Sequence, residues 1–69
     1  MKNEVRYYRF MRDEMTQQEL ADKVNVTRQT ILAIEKSRFN PSVRLAMKIA
    51  EVLSVSIEKL FQLTEEDKE

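Results

Sequence analysis

The 69-residue sequence contains no cysteine, histidine, glycine or tryptophan, and its only proline is Pro41. Without cysteine or histidine, the chain has no disulfide, no thiolate or imidazole metal ligand, and no nucleophilic mechanism that relies on either side chain. No hydrophobic run is long enough for a signal-peptide core or a membrane span. We therefore expect a cytoplasmic protein that has no membrane association and needs no metal or cofactor.

The chain is short, but it carries enough large apolar side chains to fold. Leu, Ile, Val and Phe make up 19 of the 69 residues, a larger share than is typical of disordered sequences. A domain of this size hides only roughly 60% of the surface that its unfolded chain exposes. Because that burial gives a marginal stability, a homodimer is a reasonable expectation.

The 12 basic and 12 acidic residues cancel in number but not in position. Residues 1–44 carry nine Lys or Arg against six Asp or Glu, whereas residues 45–69 carry three against six. The most basic stretch, residues 23–44, has five basic residues and a single acid, Glu35. This asymmetry favours an anionic partner, although small helical domains also acquire such asymmetry by chance.

Capping residues predict an all-α fold. In the sequence Thr16-Gln17-Gln18-Glu19, the first and last residues can cap each other's backbone N–H groups, which is typical of a helix start. Similar N-caps are available at Thr27, Ser42 and Ser56. Together with an amphipathic amino-terminal segment, these caps predict five helices, over about residues 5–12, 17–24, 28–36, 43–53 and 57–61.

The two helices at about 17–24 and 28–36 have the spacing of a helix-turn-helix, a motif whose second helix enters the DNA major groove. The motif requires a small residue in the first helix, a residue that tolerates a left-handed backbone in the turn, and two β-branched residues in the second helix. Here these positions hold Ala21, Asn25, Ile31 and Ile34, and further apolar contacts come from Leu20, Val24 and Val26. A structural helical hairpin would share the apolar positions, but it has no need of Thr-Arg-Gln-Thr at the start of its second helix.

The segment QQELADKVNVTRQTILAIEKSRFNPSVRLAMKIAEVLSVSIEKLF resembles the Cro/C1-type (Xre) helix-turn-helix family, in particular its small stand-alone repressor-like members. The resemblance extends over about residues 3–62, and it implies a compact five-helix, lambda-repressor-like domain that binds an operator as a homodimer and regulates transcription. It also implies an ion pair between Arg9 and Glu35, although Glu35 could instead be an ordinary exposed residue. Relatives usually carry glycine where this chain has Asn25 and Ser37, which leaves the turn geometry open.

Base contacts are expected at the start and on the outer face of the second motif helix. Arg28 has the planar fork that pairs with guanine O6 and N7, and Gln29 can pair with adenine N6 and N7. Leu32 and Ala33 can make apolar contact with a thymine methyl group.

Contacts with the DNA backbone are expected from polar residues around the two motif helices and on the loop that follows them. The predicted residues are Gln17, Thr27, Thr30, Lys36, Arg38, Asn40 and Arg44. For three of these a simpler role is open, because Thr27 can serve only as a helix cap and Lys36 and Arg44 can be merely solvated.

The chain ends are expected to form a short terminal β-ribbon and an acidic tail. Phe61-Gln62-Leu63-Thr64 alternates apolar and polar residues as a strand does, and it can pair with residues 2–4. We predict that Phe61 and Leu63 make the dimer contact, the alternative being that they only cover the core of one monomer. Residues 65–69 carry four acids and one lysine, so a frayed tail is expected after a domain of residues 1–64.

These features favour a sequence-specific regulator of transcription, a repressor rather than an activator, that binds a palindromic double-stranded DNA operator as a homodimer. No small-molecule effector is evident, because we expect a chain of this size to have no room for a ligand-sensing domain beside the DNA-binding one. The alternative is a protein-interaction module on the same scaffold, such as an antitoxin-like or phage-type partner. An enzyme is not expected, because the neighbouring carboxylates of Asp13 and Glu14 lie on a predicted turn without a pocket and no glycine-rich loop is present.

Overall fold

The helices begin and end close to where the capping residues predict. The computed structural model describes residues 1–68. It contains five α-helices, with one short strand before the first helix and another after the last. The elements are β1 (Lys2–Asn3), α1 (Val5–Met11), α2 (Gln17–Val24), α3 (Arg28–Glu35), α4 (Val43–Leu53), α5 (Ile57–Leu60), β2 (Phe61–Gln62) and a 3₁₀ turn (Glu66–Lys68). This arrangement confirms the predicted five-helix fold and its terminal ribbon.

The predicted N-caps all form hydrogen bonds. The Thr16 hydroxyl accepts from the backbone N–H of Glu19 at 3.0 Å, and the Glu19 carboxylate accepts from the backbone N–H of Thr16 at 2.9 Å. The hydrogen bond from the Thr16 backbone N–H lowers the pKa of Glu19 below its ordinary value, and the hydrogen bond with the Thr16 side chain lowers it further. Thr27, Ser42 and Ser56 accept from the residue three positions later. Since helices this short are marginal alone, these caps fix where they start.

Because the chain has no glycine, other residues adopt the left-handed backbone conformation in its turns. Among residues 1–68, φ lies between 54 and 60° at Asp13, Glu14, Asn25, Ser37 and Ser54. Asn25 ends α2, and the backbone N–H of Val26 donates to the carbonyl of Ala21 at 3.0 Å. After α3 and α4, too, a backbone N–H donates to the carbonyl five residues earlier, as in the Schellman motif. These bonds offset a conformational cost of about 1 kcal/mol per residue.

The hydrophobic core lies where α2, α3 and α4 meet, and the side chains that fill it come from every helix. Its buried members include Val5, Leu20, Ala21, Val24, Ile31, Ile34, Ile49, Ala50, Leu53 and Leu60. Ile31 and Ile34 are fully buried, so they fix α3 against α2 and turn the opposite face of α3 outward.

Not every apolar side chain of the helices reaches this core. On α4, the apolar residues Val43 and Met47 are 73% and 60% exposed. The core takes a single stripe of this helix, and these two residues lie on another face. Of the three aromatic residues of α1, only Tyr8 packs against the core, whereas Tyr7 and Phe10 remain exposed.

The terminal ribbon fastens the chain ends to the end of α3. Lys2 pairs with Gln62 and Asn3 with Phe61 in antiparallel register. The Asn3 amide donates to the carbonyl of Ile34 at 2.8 Å, and its side-chain oxygen accepts from the backbone N–H of Val5 at 3.1 Å. Through Asn3, the ribbon therefore links the start of α1 to the end of α3.

The acidic tail, predicted to fray, begins with a 3₁₀ turn in the structure, and Asp67 lies 3.1 Å from the amino-terminal ammonium group of Met1. The division of the chain after residue 64 stays a prediction, and Glu69 lies outside the described residues. None of the helices within residues 1–68 has the length and apolarity to cross a membrane.

Candidate nucleic-acid interface

The start of α3 presents polar side chains from a rigid, capped turn. The Thr27 hydroxyl accepts from the backbone N–H of Thr30 at 3.3 Å and lies 3.1 Å from the Thr30 hydroxyl. Arg28 and Gln29 follow the cap directly, and both are exposed. The two residues predicted to contact bases therefore stand at the exposed end of a helix whose other face is buried.

Further along α3, Leu32 and Ala33 are half-buried. Each therefore exposes only part of its side chain on the outer face of α3. Their sequence neighbours Ile31 and Ile34 are fully buried on the inner face. Because both residues share α3 with Arg28, the helix fixes their positions along its axis relative to Arg28.

Glu35, the last residue of α3, is held by a side chain from α1. The Arg9 guanidinium donates to both carboxylate oxygens, from Nε to Oε2 at 2.7 Å and from Nη2 to Oε1 at 3.2 Å. A third N–H of Arg9 donates to the carbonyl of Met15 at 2.7 Å. The two charged side chains are only 13% and 5% exposed. The only acid in the basic stretch is thus neutralised, which leaves the surface around α3 positive.

Gln17, predicted to contact a phosphate, also belongs to this network. Its amide nitrogen donates to Oε1 of Glu35 at 3.0 Å. An amide nitrogen carries two N–H groups, so one remains available for a phosphate oxygen while the bond to Glu35 fixes its direction. The capping box predicted the start of α2, but no local pattern predicted this contact with a residue 18 positions away.

The predicted backbone-contact residues after α3 lie in exposed positions. Lys36, Arg38, Asn40 and Arg44 are all exposed. Lys36 lines a crevice with Gln17 and Leu32, whereas Arg44 lines a separate depression beside the turn between α2 and α3. Lys36 and Arg44 therefore lie beside different depressions of the surface.

Lys48 is a basic residue that was not predicted to contact DNA. It lines the same depression as Arg44, together with Asn25 and Val26 of the motif turn. Residues four apart in a helix lie on one face, so the spacing of the two basic residues in α4 was the signal that could have identified it.

The two residues predicted to form the dimer contact have different surroundings. Phe61 lies in β2 and packs partly against the core, whereas Leu63 is 63% exposed. Only Leu63 therefore offers most of its side chain to a partner. No metal-binding group of three acidic, histidine or cysteine side chains occurs among residues 1–68.

Comparison with known proteins places these features in a family. The family model described as Helix-turn-helix matches residues 9–60. An uncharacterised HTH-type transcriptional regulator of Methanocaldococcus jannaschii is 51% identical over 61 residues, which cover 88% of this chain and 91% of that protein. One from Archaeoglobus fulgidus is 48% identical over 67 residues, covering 97% and 94%. One from Bacillus subtilis is 45% identical over 67 residues, covering 97% and 100%.

Proposed function

The chain belongs to the Cro/C1-type helix-turn-helix family of transcriptional regulators, and from this premise we propose that it is a repressor that reads the DNA major groove as a homodimer. The observation that carries the proposal is the placement of α3. This helix buries Ile31 and Ile34, while Arg28 and Gln29 stand exposed at its start. A helix fixed in this way can enter the groove with its amino-terminal residues against the base edges.

The base contacts follow from the chemistry of four residues on α3. Arg28 donates two parallel hydrogen bonds to a guanine, and Gln29 exchanges two with an adenine. Leu32 and Ala33 offer their exposed parts to a thymine methyl group. Each bidentate pair discriminates against a wrong base by about 1–3 kcal/mol.

Phosphate contacts then hold α3 in register without reading sequence. Gln17 donates through its remaining amide N–H. Thr27 and Thr30 act as a hydroxyl pair, in which one hydroxyl donates to the other and that other hydroxyl donates to the phosphate. Basic and polar side chains after α3 follow the DNA backbone on either side of the groove. The proposed members of this second group are Lys36, Arg38, Asn40 and Arg44.

Two protomers contact the two half-sites of a palindromic operator. Leu63, exposed beside the terminal ribbon, and the neighbouring Phe61 supply the proposed dimer contact. Half-sites of a dimeric helix-turn-helix protein lie about 34 Å apart, one turn of DNA. Repression by occupying the operator requires only DNA binding, which suits a small domain whose relatives are regulators.

A protein-interaction module on the same scaffold is the second candidate function. It is favoured by the exposed side chains of Tyr7, Phe10 and Met11 on α1, which are 55%, 58% and 62% exposed. Apolar side chains grouped on a surface are a feature of protein contacts. Tight binding of DNA by this chain alone would argue against it.

Selection of bound duplexes from random DNA tests the proposal. We expect an enriched palindrome whose half-site centres are about 34 Å apart. The variant Arg28→Ala, put through the same selection, should lose the preference at one base pair in each half-site. Recovery of the unselected sequence distribution by the wild-type protein would contradict the proposed function.

A further inference from the structure

A crevice of about 330 Å³ lies where α1 meets the start of α2 and the end of α3. Its lining residues are Arg6, Arg9, Gln17, Leu32, Glu35 and Lys36. Two of these, Gln17 and Lys36, are proposed phosphate contacts, and Leu32 is a proposed base contact. The crevice therefore opens on the side of the molecule that faces DNA in the proposed complex.

Arg9 cannot serve as the cation of this crevice. Three of its N–H groups are used by Glu35 and Met15, and its side chain is 13% exposed. Because its charge is cancelled by Glu35 at 2.7 Å, the pair adds little to the attraction of an anion.

Arg6 is different in each of these respects. Its side chain is exposed, and none of the ion pairs found within residues 1–68 involves it. It precedes Arg9 by one turn of α1, and residues three apart lie on neighbouring parts of a helix surface. Arg6 thus carries a positive charge without an ion-pair partner among the described residues, and it lines the same crevice as Lys36 and Gln17.

We propose that Arg6 binds a DNA phosphate and extends the DNA interface from α2 and α3 onto α1. The inference rests on the proposed function, since it takes the docking of α3 in the major groove as given. A guanidinium suits this role because its planar fork matches two phosphate oxygens. Arg9 in this arrangement is a positioning residue that holds Glu35, which in turn accepts from Gln17, whereas Arg6 is the residue that touches DNA.

The test is the salt dependence of DNA binding by three variants. Arg6→Gln removes the charge and keeps much of the side-chain stem, and Arg6→Lys keeps the charge. The matched control is Arg12→Gln, which removes the same charge at the end of α1. Arg12 donates to the Ser54 hydroxyl at 2.8 Å and lines a different depression with Met15.

We expect Arg6→Gln to reduce the slope of log K against log salt concentration by about 0.9 per bound protomer. Between about 50 and 200 mM salt, the wild-type protein should then weaken about 3.5-fold more per protomer than this variant. The change should be the same on the selected site and on random duplexes, because a phosphate contact reads no bases. Arg6→Lys and Arg12→Gln should keep the wild-type slope.

A wild-type slope for Arg6→Gln in a protein that binds DNA would overturn the inference and leave the proposed function intact. An equal reduction for Arg12→Gln would also overturn it, because net charge alone would then explain the effect. Absence of DNA binding by the wild-type protein would refute the proposed function itself. Thermal unfolding of each variant checks the fold, and Arg6→Ala, which also removes the charge and should lower the slope by the same amount, replaces Arg6→Gln if that variant is unstable.

Discussion

The Nε atom of Arg9 in α1 lies 2.7 Å from Oε2 of Glu35, the last residue of α3. The same carboxylate accepts from Gln17 at the first turn of α2. One nearly buried acid therefore joins three helices at the end of α3. The resemblance to the family implied the pair, and the structure adds the third partner.

Glu35→Ala should lower the free energy of unfolding by about 3 kcal/mol, because it leaves the guanidinium of Arg9 nearly buried without a counter-charge. Urea unfolding measures the loss. Glu51→Ala, at an exposed position of α4, is the control and should change stability by less than about 0.5 kcal/mol. Replacing both members of the pair with methionine should cost much less than the single change. A loss no larger than that of the control would show that the pair contributes nothing.

Arg28→Ala should weaken binding to the selected site by about 1–3 kcal/mol and leave binding to random duplexes nearly unchanged. The reason is that a base contact adds affinity only where its base is present. Fluorescence anisotropy with both duplexes measures the two affinities, and Lys59→Ala on α5 is the charge-matched control. Equal losses on both duplexes would reassign Arg28 to a phosphate.

Leu63→Glu should shift the monomer–dimer equilibrium towards the monomer, because it places a charge in the proposed apolar contact. Analytical ultracentrifugation over a concentration series measures the shift. Val43→Glu is the matched control, since Val43 is even more exposed, at 73% against 63%. If Val43→Glu dissociates the dimer and Leu63→Glu does not, the dimer contact lies on α4 instead.

The carboxylate of Asp67 should titrate at low pH. Hydrogen bonds from the Thr64 backbone N–H, the Met1 ammonium group and the Thr64 hydroxyl lower the pKa of Asp67 from 3.8 to about 2. A pKa that is lower in the folded chain adds stability to the tail above the unfolded value, and this stability is lost as pH falls from about 4 towards about 2. NMR titration of the side-chain carboxyl carbon measures it. A midpoint near 3.8 would show that the tail is detached in solution.

Local chemistry predicted most of the fold. The hydroxyl caps at Thr16, Thr27, Ser42 and Ser56 gave the helix starts, because each is satisfied by a residue only three positions away. Asn25 was expected to adopt the left-handed conformation, and it does so with φ of 60°. These features depend on neighbouring residues alone, so a single sequence contains them.

Features that depend on the docking of distant elements were not predicted. The bond between Gln17 and Glu35 exists only because α2 and α3 meet at a particular angle. The exposure of Val43 and Met47 depends on which stripe of α4 the other helices cover. The shared depression of Arg44 and Lys48 likewise requires the packed structure.

The central claim, that the start of α3 reads bases, is tested most directly by selecting DNA from the same random pool with wild-type protein and with Gln29→Ala. Both proteins should enrich the same palindrome, and the variant should lose its preference at one base pair in each half-site. If the preference is unchanged at every position, and Arg28→Ala is equally without effect, then α3 does not read bases in the major groove.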